Sequence, residues 1–208
     1  MVDRTELPNN DVWEGALVEL REFEVADGAL LREWITGPIE LLTWAGPSFT
    51  WPLGDAQLAA YAADSVAGRR LCWTAVESAT GEAIGHVSLR IGDVRSPDEG
   101  ARTETILSDP CSLASGRLGR VLVAPAARGR GYATAMMQKV LQLAFGELGL
   151  ERVELGVFAH NTGAVRLYER LGFKRDSVLT DVEQVDGESW SALQMSLQKP
   201  APQADLTQ

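Results

Sequence analysis

The stretch Val121-Leu-Val-Ala-Pro-Ala-Ala-Arg-Gly-Arg-Gly-Tyr-Ala133 decides how this chain is read. An apolar strand stops at Pro125, and a loop with two close glycines, Gly129 and Gly131, opens directly into an amphipathic helix. Such a loop can aim several backbone N–H groups at one anion, and the helix dipole adds to the attraction. Arg128 and Arg130 set positive charge beside it. The ligand implied is a phosphate or pyrophosphate.

Two familiar glycine loops do not fit these residues. A dinucleotide fingerprint wants G-x-G-x-x-G at the strand end, and the loop reads Gly129-Arg-Gly131-Tyr-Ala-Thr134, without the third glycine. A nucleotide-triphosphate loop needs Gly-Lys followed by Ser or Thr, which is absent. The segment instead resembles the acyl-CoA signature V-x-P-x-x-R/Q-x-x-G-x-G/A of the GCN5-related N-acetyltransferase (GNAT) superfamily, carried by Val123, Pro125, Arg128, Gly131 and Ala133. A second stretch resembles the same family. Val153 to Ala159 reads as a strand, His160-Asn161 ends it, and Thr162 to Leu171 forms a short helix closed by Gly172. The family pattern N-x-x-A-x-x-x-Y-x-x-x-G-F falls on Asn161, Ala164, Tyr168, Gly172 and Phe173. Two motifs in the right order are far more specific than one glycine loop. The resemblance runs from Leu17 to Leu197, with its specific part at Val121 to Phe173, and is nearest the ribosomal-protein-alanine and small-amine branch.

The resemblance implies an α/β fold of GNAT type: a mixed, mostly antiparallel central sheet flanked by helices, in which the Leu118 and Val153 strands run parallel and splay apart. It implies acetyl-CoA as acyl donor, its pyrophosphate on Arg128, Gly129, Arg130, Gly131, Tyr132 and Ala133. The backbone near Leu122 and Val123 would hold the acetyl carbonyl, and Asn161 would bond the cofactor arm as well as cap its helix. The acceptor would be an amine, in a small molecule or at a peptide N-terminus, and the protein a monomer or homodimer.

Other elements follow from periodicity. Leu17 to Phe23 alternates like a first strand. Asp27 is placed to cap a helix with Leu30, Leu31 and Trp34 on its apolar face, stopped by Gly37-Pro38, and Asp55 to cap a second helix running to Val66 and ended by Gly68. Leu71 to Glu77 and Ala83 to Ile91 form a hairpin around Ser78-Ala-Thr-Gly81. Gly92 to Ser115 is a long link rich in Ser, Asp, Gly and Pro, either functional or loosely ordered. The helix after the glycine loop extends to Leu148, with Ala133, Met137, Val140, Ala144 and Leu148 facing the sheet and Gly149 closing it. Phe173 to Leu179 and Ser189 to Leu197 are the closing strands. The expected organisation is a mobile segment 1–13, one domain over 14–198 and a disordered tail over 199–208.

With 208 residues, 45% hydrophobic and 23% charged, the chain suits one globular domain. Its net charge of −10 argues against nucleic acid as a partner. That charge reflects either an ordinary acidic surface or an acidic acceptor pocket that draws in amines. No apolar run approaches a membrane span, Met1-Val-Asp-Arg-Thr-Glu lacks signal-peptide features, and Cys72 and Cys111 lack metal-ligand spacing. The cytoplasm, without metal and without membrane, is the expected setting.

Acetyl transfer to an amine needs a held thioester, a stabilised oxyanion and a proton for the departing thiolate. Tyr168 is the candidate acid, because a phenol stays protonated at neutral pH. Many relatives carry a glutamate about four residues ahead of the motif valine, where this chain has Gly119. His86, with an ordinary pKa near 6.5, is then the natural base. Glu104, Asp109, a water chain or an already neutral amine are alternatives. Trp44 and Trp51, in an aromatic-rich N-terminal part, offer flat surfaces to the acceptor, including cation–π contact. A non-catalytic acyl-CoA sensor is the competing function.

Overall fold

Strand pairing organises the molecule into one twisted sheet. The computed structural model describes residues 18–67, 70–92 and 115–201. Seven strands, β1 (Val18–Glu22), β2 (Leu71–Glu77), β3 (Ala83–Ile91), β4 (Ser115–Val123), β5 (Arg152–Phe158), β6 (Lys174–Val185) and β7 (Glu188–Gln198), stand in the order β1-β2-β3-β4-β5-β7-β6. All neighbours are antiparallel except β4 and β5. That pair is registered from Ser115 opposite Arg152 to Leu118 opposite Leu155, and there the pairing stops although both strands continue. The expected splay is therefore present.

The helices are α1 (Gly28–Trp34), α2 (Pro38–Ala45), α3 (Asp55–Val66), α4 (Tyr132–Gln142) and α5 (Thr162–Arg170). The helix of Leu30, Leu31 and Trp34 ends at Trp34, before Gly37-Pro38 as expected, and Pro38 then begins a further helix, α2. Pro38 sits in the first turn of α2, where its missing N–H costs nothing. Asp27 does not cap α1 through its side chain. Its carboxylate instead accepts from Arg21 at 2.7 and 2.6 Å, the Glu24 amide at 2.9 Å and Thr74 Oγ1 at 2.8 Å, tying β1 and β2 to the start of α1. Burial raises the Asp27 pKa, but these bonds outweigh it and hold the carboxyl below its usual range. Gly54, not Asp55, is the cap of α3.

The main core lies between α4 and the sheet, where Met136, Met137, Val140 and Ala144 meet Val87, Leu89, Leu118, Val153, Leu155 and Met195. Leu148 departs from its expected inward position and is 37% exposed. A π-helical turn at Leu143–Glu147 widens the helix, and the face shifts so that Leu150 enters the core instead. At the far end Lys199, expected in a tail, donates its amide to the Glu151 carbonyl at 2.8 Å.

Gly85 on β3 is required by close packing. A Cβ there would lie 2.7 Å from the Leu122 carbonyl oxygen and 3.2 Å from Met136 Sδ. Gly85→Ala should therefore force β3 from β4 and cost about 1–3 kcal/mol, read from the urea midpoint; an unchanged midpoint would contradict this packing.

Candidate active site

A cleft of about 1430 Å³ opens where β4 and β5 part, larger than most small-ligand sites and long enough for a donor and an acceptor together. Its walls include the phosphate-loop residues Arg128, Gly129, Gly131, Tyr132 and Ala133, the β4 residues Leu122 and Val123, and Asn161, Tyr168 and Trp44. Arg130, His86 and Trp51 are not part of the lining.

The loop is built to leave amides open. Gly129 and Gly131 have φ of 77° and 85°, in the left-handed region that a side chain rarely adopts. Gly131 occupies the cap position of α4 and offers no side chain to its first turn. The first helical bond back to this turn comes from the Ala135 amide to the Gly131 carbonyl at 3.2 Å. Among the described residues no backbone carbonyl outside α4 takes the amides of Gly129 to Thr134. A row of unpaired N–H donors at the positive end of a helix can receive an anion.

Two side chains expected on the anion make contacts within the protein. Arg130 pairs with Glu77 at 3.2 Å and lies over the Tyr132 ring at 4.9 Å. The Tyr132 hydroxyl also donates to Glu77, so this carboxylate on β2 anchors the loop from behind. Arg128 donates through Nε to the Val123 carbonyl at 3.2 Å, tying the loop to the end of β4. The Ala124 amide points to β3, donating to Ile84 at 2.9 Å. By strand alternation the main-chain groups of Val123 then point away from β3, into the gap.

β4 carries a bulge that the sequence did not reveal. Ser88 opposes Gly119 and His86 opposes Leu122, so β4 fits one extra residue into this interval. Arg120, with φ of 54°, absorbs it. The bulge places its guanidinium over the rings of Tyr61 at 4.9 Å and Phe49 at 5.3 Å. The positive φ falls on Arg120 and not on the neighbouring Gly119, and Leu118 to Ala124 reads as plain strand.

His86 lies beneath this layer, 1% exposed. Its Nε2 shares a 2.8 Å hydrogen bond with the Tyr61 hydroxyl, and its ring meets Phe23, Tyr61 and Trp44 edge-on. Burial, with the Arg120 guanidinium nearby, lowers its pKa to about 3. A group so placed and so weakly basic lacks the properties expected of it as a base. Trp51 is 45% exposed and not part of the cleft wall, whereas Trp44 stacks on Phe49 at 5.6 Å and forms part of it.

On the opposite wall Asn161 Oδ1 accepts from the Ala164 amide at 3.2 Å, capping α5 and leaving its NH2 group for another partner. Tyr168 is buried, tilted against Phe173 at 5.9 Å, and burial raises its pKa above the ordinary phenol range. Its hydroxyl has no hydrogen-bond partner among the described residues. Glu104, Asp109 and Cys111 lie outside them.

The chain belongs to the acetyltransferase (GNAT) family, whose model matches residues 39–173. Among curated relatives, the uncharacterized N-acetyltransferase p20 of Bacillus licheniformis is 32% identical over 71 residues, 34% of this chain and 40% of that protein. The spermidine N(1)-acetyltransferase of Vibrio cholerae is 31% identical over 68 residues, 33% of this chain and 39% of that protein. The match thus spans about two fifths of these relatives' length. A solved structure of the Vibrio cholerae spermidine N-acetyltransferase, in complex with CoA and spermine, has the same fold: TM-score 0.69 at 18% identity, over 89% of this chain and 97% of that one.

Below pH 6.5 the unfolded chain protonates His86 while the folded protein refuses the proton until about 3, so stability drains away as the pH falls through that window. His86→Phe should flatten this decline in urea midpoints; an unchanged slope would contradict a neutral buried imidazole.

Proposed function

We propose that the protein transfers the acetyl group of acetyl-CoA to a primary amine, in a small molecule or at a peptide N-terminus, by direct attack within a ternary complex. The row of open amides from Gly129 to Thr134, beside a parted strand pair, is the observation that carries this reading. The diphosphate of the donor sits on these amides, with Arg128 at its side. Its pantetheine arm runs along β4 where β5 has turned away, and pairs with main-chain groups as an added strand would. Asn161 contributes its NH2 to that arm. Arg130 acts through its backbone, because Glu77 holds its side chain.

The Val123 amide points into the gap and receives the thioester carbonyl, where negative charge develops during attack. The amine lone pair forms the C–N bond, the C–S bond breaks with its electron pair leaving on sulfur, and the nitrogen gives up one N–H proton to cleft water. Tyr168 serves the thiolate. Its raised pKa keeps the phenol protonated but weakens it as an acid, so it gives a hydrogen bond and a proton that cleft water restores. The amine arrives neutral or loses its extra proton to water, since His86 is too weak a base and no carboxylate stands on β4. Holding donor and acceptor together supplies several kcal/mol of the acceleration. A non-catalytic acyl-CoA sensor would use the same loop, but it gives no reason for a phenol without a partner in the wall.

Gly131→Glu puts a side chain on a left-handed backbone and a negative charge into the anion site. Acetyl-CoA affinity by calorimetry should fall about 100-fold or more, and unaltered binding would contradict the assignment. Tyr168→Phe should lower kcat by about 100-fold or more with the acetyl-CoA Kd unchanged; a full rate would take Tyr168 out of the reaction.

A further inference from the structure

A histidine stands among aromatic rings where β5 ends. Gly85 and Gly116 face α4 and its core, since a Cβ on the first would meet Met136 and on the second Leu150 and Leu89. Gly156 and Gln194 face the other side of the sheet, where both meet the Arg117 guanidinium. Phe158 and Ala192 follow them on that face by strand alternation, and all four line the cleft. An acceptor that approaches the gap from this face does not cross the diphosphate site at the start of α4.

His160 continues the row. Its ring stacks on Phe158 with centroids 5.6 Å apart and planes at 17°, and meets the Trp190 indole at 4.1 Å. Its backbone is fixed on both sides, by the Ala159 amide on the Ser191 carbonyl at 2.8 Å and the Thr162 amide on its own carbonyl at 2.8 Å. The residue is exposed and lines the cleft, and its ring nitrogens have no hydrogen-bond partner among the described residues. Counting on from Leu118 opposite Leu155, with one residue taken up by the bulge, Val123 stands level with Ala159 across the gap. His160 therefore adjoins the level at which the Val123 amide would receive the thioester carbonyl.

Among the described residues of the lining, the side chains with a lone pair open to a proton are Glu40, Glu183 and His160. Glu40 is engaged on α2: bonds from the Thr36 hydroxyl and amide hold its carboxyl below the usual range and make it a weak base. Glu183 stands on β6, two strand spacings or roughly 10 Å out from β5. His160 is on the strand that borders the gap, and imidazole is the side chain that takes and releases protons near neutral pH.

We propose that His160 receives, through cleft water, the proton that the attacking amine gives up. The proposal rests on the acetyl-transfer reading and supplies the base that His86 cannot be. As the C–N bond forms, the nitrogen passes one proton to water, and that water passes one to the unprotonated ring nitrogen of His160. The imidazolium then releases it to solvent. Tyr168, having given its proton to the thiolate, is restored from water, so one proton leaves the protein and one returns.

The test uses the full chain with acetyl-CoA and, as acceptors, spermidine, ethanolamine and dialanine, and follows the acetylated amine itself. His160→Phe keeps a ring against Phe158 and Trp190 but has no lone pair; its kcat should fall about 100-fold with the acetyl-CoA Kd unchanged. His160→Ala should be equally slow, and added imidazole should restore part of its rate while leaving His160→Phe unchanged. A merely structural ring would give the opposite pattern, with His160→Phe active and His160→Ala not rescued. Either of those results would overturn the proposal, as would a loss of kcat in Glu183→Gln beside a full rate in His160→Phe. No acetylated amine from the wild type with any of these acceptors would count against the transfer reading itself, and the proposal falls with it. A wild type that acetylates no faster than His160→Phe overturns the proposal alone.

Discussion

Between Leu118 and Leu155 two parallel strands let go of each other, and the molecule is arranged around that release. Main-chain N–H and C=O groups that leave a sheet must find water or another partner, and each one left without either costs about 1–3 kcal/mol. Here β3 keeps β4 in place on one edge, while β5 is held by β7 along its whole length. The sheet stays intact on both sides of an opening that only an extended ligand can fill in the manner of a strand. The bulge at Arg120 lies just beyond the last paired residue, so distortion and parting coincide.

The loop after β4 extends the same principle to charge. Its glycines hold a left-handed backbone, Arg130 pairs with Glu77, and Arg128 gives its Nε to the Val123 carbonyl. Donors to an anion are therefore mainly amides, fixed in direction by the helix they begin, and they need no rearrangement when a diphosphate arrives. Glu77 serves this arrangement from β2 by gripping both Arg130 and Tyr132. Elsewhere the cleft is lined by side chains, among them Arg117 and Arg120 of the bulged strand β4. Total charge describes neither place, since an acidic protein encloses a cleft lined by arginines.

Much of this was legible in the residues. The phosphate loop, the parallel strand after α4 and the capped helix at Asn161 each have a local signature in glycine, proline or asparagine spacing, and each lies where those signatures place it. What escaped depends on contacts distant in sequence. Gly119 beside Arg120 is the one local hint of a bulge, but the extra residue exists only relative to β3. His86 reads as a base because burial under Tyr61 and Trp44 cannot be seen from a strand pattern. Arg70 and Gly119 sit 49 positions apart and are linked through the Ser88 hydroxyl. Gly37-Pro38 rightly marked the end of α1, but its second meaning, a proline opening α2, was not read.

Whether main-chain amides at the start of α4 hold the diphosphate of acetyl-CoA can be measured on the wild-type protein by isothermal titration with acetyl-CoA, ATP and NAD in parallel. Saturable one-site binding of acetyl-CoA, tighter than that of either nucleotide, is the predicted result. No heat with acetyl-CoA, or tighter binding of ATP or NAD, would contradict it.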